Sequence, residues 1–153
     1  MTASASQPSP LVIVRIRRVR DGVALPRYAS PGAAALDLAA AEDVDVPSGE
    51  VRLVPTGLVI EVPQGMFLGI FARSSTPIKR GLMVANGVGV VDSDYCGPED
   101  EVKVAVLNFT REPVHVFAGD RIAQALLLAA PRVAWEESAE LRDQSRGGFG
   151  ATG

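Results

Sequence analysis

Short apolar runs separated by turn residues constrain this chain more than any other feature. Glycine and proline recur about every eight to twelve residues, a spacing typical of many short β-strands. Stretches such as Pro63-Gln64-Gly65 and Asn86-Gly87 are turn signals. The pattern predicts a mostly β domain, two-layered or barrel-like, with little helix. The expected strands are Leu11–Ile16, Val51–Val54, Gly57–Val62, Met66–Phe71, Leu82–Val84 and Val102–Phe109.

Two segments do not follow this simple pattern. Residues 119–130, "GDRIAQALLLAA", fit a helical period about as well as a strand. Residues 74–82, "SSTPIKRGL", suit a short helix with a Ser or Thr cap and Pro77 in the first turn. In residues 102–109 the alternation is clear, but both faces become apolar toward the end. This favours a strand covered on both sides, with another subunit as one possible cover.

Composition restricts the classes of partner. The chain has 153 residues, enough for one domain, and its net charge is −3. This charge gives no basic surface for nucleic acid, so an anionic ligand must be held by a few well-placed arginines. A single cysteine, Cys96, favours a reducing compartment and a cytoplasmic location. A single histidine, His115, excludes histidine-cluster metal sites within one chain.

The two ends of the chain differ from its middle. Residues 1–10, "MTASASQPSP", lack a basic start and an apolar stretch, so we expect a disordered tail rather than a signal peptide. The apolar runs elsewhere are too short to cross a bilayer, and no membrane partner is expected. Residues 144–153 are glycine-dense, so their composition predicts a flexible tail, with a lid arm that covers a ligand as the alternative. The β domain between them is predicted over residues 11–143.

The stretch Asn86–Gly97, "NGVGVVDSDYCG", interrupts a predicted β-hairpin with two carboxylates. Glycines at the hairpin tip would let the main chain approach a flat ligand and bind its polar edge. Asp92 and Asp94 would point to opposite faces if the strand continues, so only one could face that ligand. The alternative is an exposed acidic turn in which Tyr95 is an edge aromatic.

Two further motifs carry polar groups next to apolar strands. In "ARSST", Arg73 offers a planar fork of donors, and Ser74 and Ser75 add hydroxyls suited to phosphate oxygens. The alternative there is an ordinary helix cap beside a solvated arginine. In "GDRIAQ", Asp120-Arg121 indicates a turn ion pair, and Gln124 is an amide in an apolar stretch that needs partners.

Five short motifs, taken in this order, resemble those of the trimeric dUTPase family, which acts on deoxyuridine triphosphate. They are "AALDL" at Ala34–Leu38, "RSS" at Arg73–Ser75, "NGVGVVDSDYCG" at Asn86–Gly97, "GDRIAQ" at Gly119–Gln124 and "RGGFGATG" at Arg146–Gly153. The resemblance implies a jelly-roll homotrimer with a swapped C-terminal arm and active sites between subunits. It also implies Mg²⁺-assisted hydrolysis of dUTP to dUMP and pyrophosphate, which limits uracil in DNA and supplies dUMP for dTMP synthesis.

The resemblance also implies residue roles. Asp92 would activate the water that attacks the α-phosphorus, and Tyr95 would pack under the deoxyribose and exclude ribose. Asn86 and the main chain of Gly89, Val90 and Val91 would hold uracil. The other implied substrate contacts are Arg73, Ser74, Ser75 and Gln124 on the phosphates, Lys103 on the return strand, and Arg146, Phe149, Gly150 and Thr152 in the arm. No direct protein ligand to the metal is implied, and Asp37 would have an outer-shell or structural role.

The chain differs from the usual family motifs at several positions. Ala35 and Ser75 stand where glycine is usual, and residues 98–100, "PED", lengthen the hairpin. A dCTP deaminase has a related fold, but its chemistry needs a glutamate on the strand after the hairpin. That strand offers none here, although Glu99, Asp100 and Glu101 lie close by. A non-catalytic trimer that binds deoxyuridine nucleotides is a third interpretation.

Overall fold

A computed structural model of the chain describes residues 11–142, 145 and 147. The predicted tail at residues 1–10 lies outside the described residues, as do Arg146, Phe149, Gly150 and Thr152 of the predicted arm. The described elements are the strands β1 (Arg15–Arg18), β2 (Leu36–Ala39), β3 (Val44–Val46), β4 (Val51–Pro55), β5 (Leu58–Glu61), β6 (Met66–Phe71), β7 (Leu82–Val84), β8 (Gly89–Val91), β9 (Lys103–Asn108), β10 (Val114–Val116) and β11 (Arg121–Ala129), with one helix, α1 (Ser75–Arg80).

These strands form four small antiparallel sheets in a jelly-roll-like arrangement. The larger ones have the orders β2-β11-β6-β8 and β4-β9-β7, and β1-β5 and β10-β3 form two-stranded sheets. Alternate side chains of β9 turn inward, and its Val104 and Val106 are buried with Leu38, Leu58 and Ile122 in one core. The predicted all-β class is therefore confirmed. Among the described residues, no helix is long and apolar enough to span a membrane.

The first predicted strand lies in the wrong place. Strand β1 begins at Arg15 rather than Leu11, and its partner in the described part of the chain is β5. In that pairing Arg15 faces Glu61, the last residue of β5, so residues 11–14 extend past the end of this partner strand. Leu11 and Ile13 are accordingly exposed. The predicted strands Met66–Phe71 and Leu82–Val84 are confirmed with the same bounds.

The two ambiguous segments take different structures. Residues 121–129 form strand β11, which pairs with β2 on one edge and β6 on the other. Pairing on both edges overrides the local helix propensity of this segment. The predicted short helix is confirmed as α1, with Pro77 in its first turn. Ser74 occupies the N-cap position, but its side chain makes no capping hydrogen bond.

The predicted hairpin tip at Gly87 and Gly89 is wrong, although β7 does pair with the predicted return strand β9, which begins at Lys103. Strand β7 pairs with β9 and strand β8 pairs with β6, so the chain crosses from one sheet to the other between them. A turn makes this crossing: the Gly87 N–H donates to Val84 O at 3.0 Å, and Gly87 has φ 73°. A positive φ suits glycine, which has no Cβ. The crossing leaves an opening between the two sheets.

Gly81, at the end of α1, is a position where an added methyl group should destabilise the fold. It has φ 63°, and a Cβ there would lie 1.9 Å from Thr110 Cγ2. The Thr110 hydroxyl donates to Asn108 Oδ1 at 2.7 Å, so this side chain cannot easily move. We expect Gly81→Ala to lower the free energy of unfolding by roughly 2 to 4 kcal/mol.

Urea unfolding at fixed protein concentration measures this loss, with Gly65→Ala as the matched control. Gly65 has a similar φ of 77°, but an added Cβ would meet nothing within 4 Å. It should therefore lose only the backbone cost of about 1 to 2 kcal/mol. Equal losses in the two variants would contradict the steric part of the argument.

Candidate functional site

A cavity of about 360 Å³ opens where the two larger sheets separate, within the size range of small-molecule sites. We call it the junction pocket. It brings together most of the residues predicted to hold a nucleoside. Its lining is Leu53, Ile70, Asn86, Gly89, Val90, Val91, Asp92, Tyr95, Glu101, Val102 and Lys103.

One wall of the junction pocket is the unpaired edge of β8. Among the described strands, β8 is the last in its sheet and pairs with β6 alone. An edge strand presents main-chain N–H and C=O groups that have no partner in the sheet. Gly89 packs tightly here, because a Cβ at this position would lie 3.0 Å from Ile70 Cβ. The edge can therefore offer alternating donors and acceptors to a flat polar ligand.

Asp92 and Asp94 lie in the turn that follows β8. The strand ends at Val91, and the Tyr95 N–H donates to Asp92 O at 3.3 Å. The strand does not continue to Asp94, so the condition under which the two carboxylates would point to opposite faces is not met. Both side chains are exposed, but only Asp92 borders the junction pocket.

Asp92 also borders a second cavity of about 370 Å³, which we call the polar trough. Asp94 lines this trough as well, so the two aspartates differ in their access to the junction pocket. Gln64 and Arg132 are polar trough residues that sequence reasoning missed, because neither lies in a motif. The full lining is Gln64, Gly65, Met66, Phe67, Asp92, Ser93, Asp94, Ala130 and Arg132.

Glu101 closes the junction pocket behind Tyr95. Its carboxylate accepts hydrogen bonds from Arg20 Nε at 2.9 Å and from the Gly57 N–H at 2.7 Å. Burial favours a raised pKa for Glu101, but Arg20, Gly57 and the charge of Lys103 outweigh it and lower the pKa. Sequence reasoning missed Arg20, because it lies outside every motif.

A second set of predicted residues surrounds Asp37, and we call it the arginine cluster. Arg73 Nε donates to Asp37 Oδ1 at 2.7 Å, and Arg121 Nη1 donates to Oδ2 at 3.0 Å. Asp37 thus holds two arginines in place, in keeping with the structural role considered for it. Nearby, Gln124 Nε2 donates to Ala72 O at 2.9 Å. Ser75 lines a cavity of about 280 Å³ together with Arg73 and Arg121, and Ser74 is exposed next to it.

The predicted ion pair between Asp120 and Arg121 is wrong. Asp120 instead accepts a hydrogen bond from Arg80 Nη1 at 2.6 Å, while Arg121 turns to Asp37. The contact joins α1 to the turn before β11. Asp120 also accepts the Phe117 N–H at 2.9 Å. The Arg80 hydrogen bond is the main cause of a lowered pKa for Asp120, and it outweighs the opposing effect of burial.

The junction pocket and the arginine cluster are separate within one chain. Among the described residues, the cavity beside Arg73 and the junction pocket have no lining residue in common, and the junction pocket is lined by no arginine. Over residues 11–142, 145 and 147, no three His, Cys, Asp or Glu side chains are grouped to hold a metal ion. Both Asp37 oxygens already accept from arginines.

The fold and these two sites define a jelly-roll-like domain that can hold a base in one place and an anion in another. The sequence model of the dUTPase family matches residues 21–153, and the chain belongs to this family. The deoxyuridine 5'-triphosphate nucleotidohydrolase of Thermobifida fusca is 44% identical over 158 residues, covering 99% of this chain and 87% of that protein. The enzyme of the same name from Desulfitobacterium hafniense strain DCB-2 is 45% identical over 147 residues, covering 92% and 95%.

Solved structures agree with this assignment. The dUTPase of Streptococcus mutans superposes with a TM-score of 0.74 at 32% identity, covering 78% of this chain and 98% of that one. A point mutant of the phage 80α dUTPase has a TM-score of 0.81 over 92% of this chain and 98% of its own, but at 16% identity it supports the fold alone. A further neighbour, a point mutant of the phage φ11 dUTPase, is described as coordinating a structural Mg(II) ion; it has a TM-score of 0.76 at 17% identity, covering 84% and 98%.

The contact between Arg80 and Asp120 predicts a pH-dependent contribution to stability. The folded pKa of Asp120 is lower than its ordinary value of 3.8. The contribution should therefore be complete above pH 3.8 and disappear as the pH falls through the folded pKa. At pH 7 we expect Asp120→Asn to cost about 1 to 3 kcal/mol of unfolding free energy.

Urea unfolding of the wild type and Asp120→Asn at several pH values from 7 down to 3 measures the difference. Asp94→Asn, which removes an exposed carboxylate from a turn, is the control and should cost little at either end of this range. A difference for Asp120→Asn that grows toward low pH would contradict the argument.

Proposed function

We propose that this chain hydrolyses dUTP to dUMP and pyrophosphate, with Asp92 as the catalytic base. The observation that carries this proposal is the position of Asp92, whose exposed side chain borders both the junction pocket and the polar trough. A nucleotide whose uracil is bound in the junction pocket would have its α-phosphate close to this carboxylate. Membership of the dUTPase family supports the same substrate.

Uracil binds in the junction pocket through main-chain groups. Over Gly89, Val90 and Val91, the unpaired edge of β8 offers the main-chain N–H and C=O groups of alternate residues to the polar edge of the ring, while the others face β6. Asn86 adds a side-chain amide from the crossing turn. Main-chain groups have fixed positions, so a ring with another donor and acceptor pattern would leave some of them unpaired, which costs binding energy.

Tyr95 and Lys103 bound the sugar side of the junction pocket. The Tyr95 ring lines the cavity, and its hydroxyl donates to Glu101 O at 3.3 Å. Packed under the deoxyribose, this ring leaves no room for a 2′-hydroxyl. Lys103 is exposed on β9 and lines the same cavity.

Asp92 orients a water molecule for attack on the α-phosphorus. As the water oxygen bonds to phosphorus, its proton moves to the carboxylate and the bond to the β-phosphate oxygen breaks. The products are dUMP and pyrophosphate. Holding the water and the phosphorus in line accounts for much of the rate, since a carboxylate is only a weak base.

The phosphate chain is held by residues of a second copy of the chain. The arginine cluster and the hydroxyls of Ser74 and Ser75 suit phosphate oxygens, but in one copy this cluster is separate from the junction pocket. Gln124 contributes its side-chain amide. The arm residues Arg146, Phe149, Gly150 and Thr152, outside the described part of the chain, would cover the base and contact the γ-phosphate.

Mg²⁺ is part of the proposal as a cation bound by the triphosphate. When bound it would neutralise charge that develops on the phosphate oxygens. The chain itself supplies no cage of carboxylates among its described residues. Asp37 holds Arg73 and Arg121 through its two oxygens, so its contact with the metal would be limited to the outer shell.

Two exposed apolar surfaces support a homotrimer. On the outer face of the β4-β9-β7 sheet, Val51 and Leu53 are 48% and 60% exposed, and Met83, at 42%, lies across the intervening strand β9. Along the extended segment after β11, Val133 and Trp135 are 71% and 94% exposed. Exposed apolar surface does not stabilise a monomer, whereas contact with neighbouring copies would bury it. Exchange of the C-terminal segment between copies is part of this proposal, and the predicted cytoplasmic location stays a prediction.

The deaminase interpretation gains no support from Glu101, the buried acid beside the junction pocket. Its carboxylate is already bound to Arg20 and Gly57, so it is not available to a substrate amino group. The third interpretation, a non-catalytic binding trimer, predicts no pyrophosphate release at all. Assays of pyrophosphate from dUTP, dCTP, dTTP and UTP, with ammonia measured for dCTP, separate the three.

Asp92→Asn tests the catalytic role of this carboxylate. The amide keeps the size of the side chain but cannot accept the proton, so turnover of dUTP should fall roughly a hundred- to ten-thousand-fold. Affinity for a non-hydrolysable dUTP analogue should change only a few-fold. Asp94→Asn is the matched control, because Asp94 lines the polar trough without bordering the junction pocket. Wild-type turnover in Asp92→Asn would refute the assignment.

Val51→Glu tests assembly through the β4-β9-β7 face. A buried unpaired carboxylate in an apolar interface is strongly unfavourable, so the variant should lose the trimer. Light scattering should give three times the 16.1 kDa chain mass for the wild type and a single chain mass for the variant. Arg111→Glu, which changes charge at an exposed loop position, should remain trimeric. A trimeric Val51→Glu would contradict the use of this face.

A further inference from the structure

Two arginines from the N-terminal part of the chain hold the loop that follows Tyr95. We call residues 97–101 the clamp loop. Arg20 donates to both carboxylate oxygens of Glu101, from Nε at 2.9 Å and from Nη2 at 3.1 Å. Arg17 Nη2 donates to Pro98 O at 2.8 Å. The clamp loop, which includes the insertion at residues 98–100, is thus fixed from outside its own sheet.

The Glu101 side chain is the most constrained part of the clamp loop. Glu101 is 9% exposed, and a two-point contact between a guanidinium and a carboxylate fixes angle as well as distance. The third donor, the Gly57 N–H at 2.7 Å, cannot easily shift. Gly57 has φ 69° and lies so close to Val23 that a Cβ would approach its Cγ2 to 2.5 Å. Arg20 is held in turn by Glu42.

The position of Glu101 is passed to Tyr95 through the main chain. The Tyr95 hydroxyl donates to the carbonyl oxygen of Glu101 at 3.3 Å, and both residues line the junction pocket. An aromatic ring excludes a hydroxyl group only if the ring cannot move aside. A displacement of the ring by more than a few tenths of an ångström would therefore weaken the exclusion. We propose that Glu101, held by Arg20, is a positioning residue that fixes Tyr95 and so sets the discrimination of deoxyribose from ribose. This inference rests on the proposed function.

Glu101→Gln tests the inference with little change of shape. The amide oxygen can still accept the Gly57 N–H, but the charge that binds Arg20 is lost. We expect the affinity ratio between the α,β-imido analogues of dUTP and UTP, measured by calorimetry, to fall roughly tenfold. The dUTP analogue should bind more weakly and the UTP analogue more tightly, a change of selectivity that a general loss of folded protein cannot produce.

Two further variants keep the test decisive. Arg17→Gln removes the contact of an exposed side chain with Pro98, so it should fold and lower the ratio in the same direction by a smaller factor. Arg15→Gln is the matched control, because Arg15 lies on β1 like Arg17. The substitution removes an exposed ion pair with Glu61 of β5 and leaves the contacts of the clamp loop intact. Its ratio should stay within about twofold of the wild type.

The inference is overturned if Glu101→Gln and Arg17→Gln both show the same affinity ratio between the dUTP and UTP analogues as the control Arg15→Gln. If Glu101→Gln does not fold, Arg17→Gln alone decides. Binding of the imido analogues does not require turnover, so the result is independent of catalysis. A wild-type chain that releases no pyrophosphate but prefers the dUTP analogue would refute the proposed hydrolysis alone, whereas equal binding of both analogues would overturn this inference.

Discussion

Strand β8 pairs with β6 along one edge, and no other described strand pairs with its second edge, because the chain enters β8 from the β4-β9-β7 sheet. The crossing turn uses glycine at position 87, and Gly89 lets the strand lie against Ile70. The junction pocket, the exposed position of Asp92 and the place of Tyr95 all follow from this crossing. In a paired hairpin, the partner strand would have formed hydrogen bonds with these same main-chain groups.

Arginines of this acidic chain are repeatedly held by carboxylates close to the proposed sites. Asp37 binds Arg73 and Arg121, Asp120 binds Arg80, and Arg20 lies between Glu42 and Glu101. Asp37 contacts one nitrogen of Arg73 and one of Arg121, so both guanidinium groups keep donors for a ligand, whereas all three nitrogens of Arg20 already donate to Glu42 and Glu101. An anionic ligand then meets groups that are already oriented, so less side-chain entropy is lost on binding.

Much of the fold and the site could be predicted from local signals. The period-2 pattern of β9 and the turn residues identified the all-β class, and motif resemblance selected the residues that line the junction pocket. Contacts distant in sequence could not be predicted this way. The pairing of β11 with two strands, the Arg80–Asp120 contact and the link from Arg20 to Glu101 join residues far apart in the chain. No local spacing encodes such partners, so only the folded chain reveals them.

The chain contains a single tryptophan, and Trp135 lies in the extended segment after β11, almost fully in contact with solvent. Its intrinsic fluorescence in an isolated copy would be close to that of an indole in water, whether or not the β core is intact. A blue shift of emission would then report that a neighbouring copy has covered the segment. Optical unfolding curves followed at this single fluorophore would measure dissociation, and circular dichroism would be needed to follow loss of the sheets.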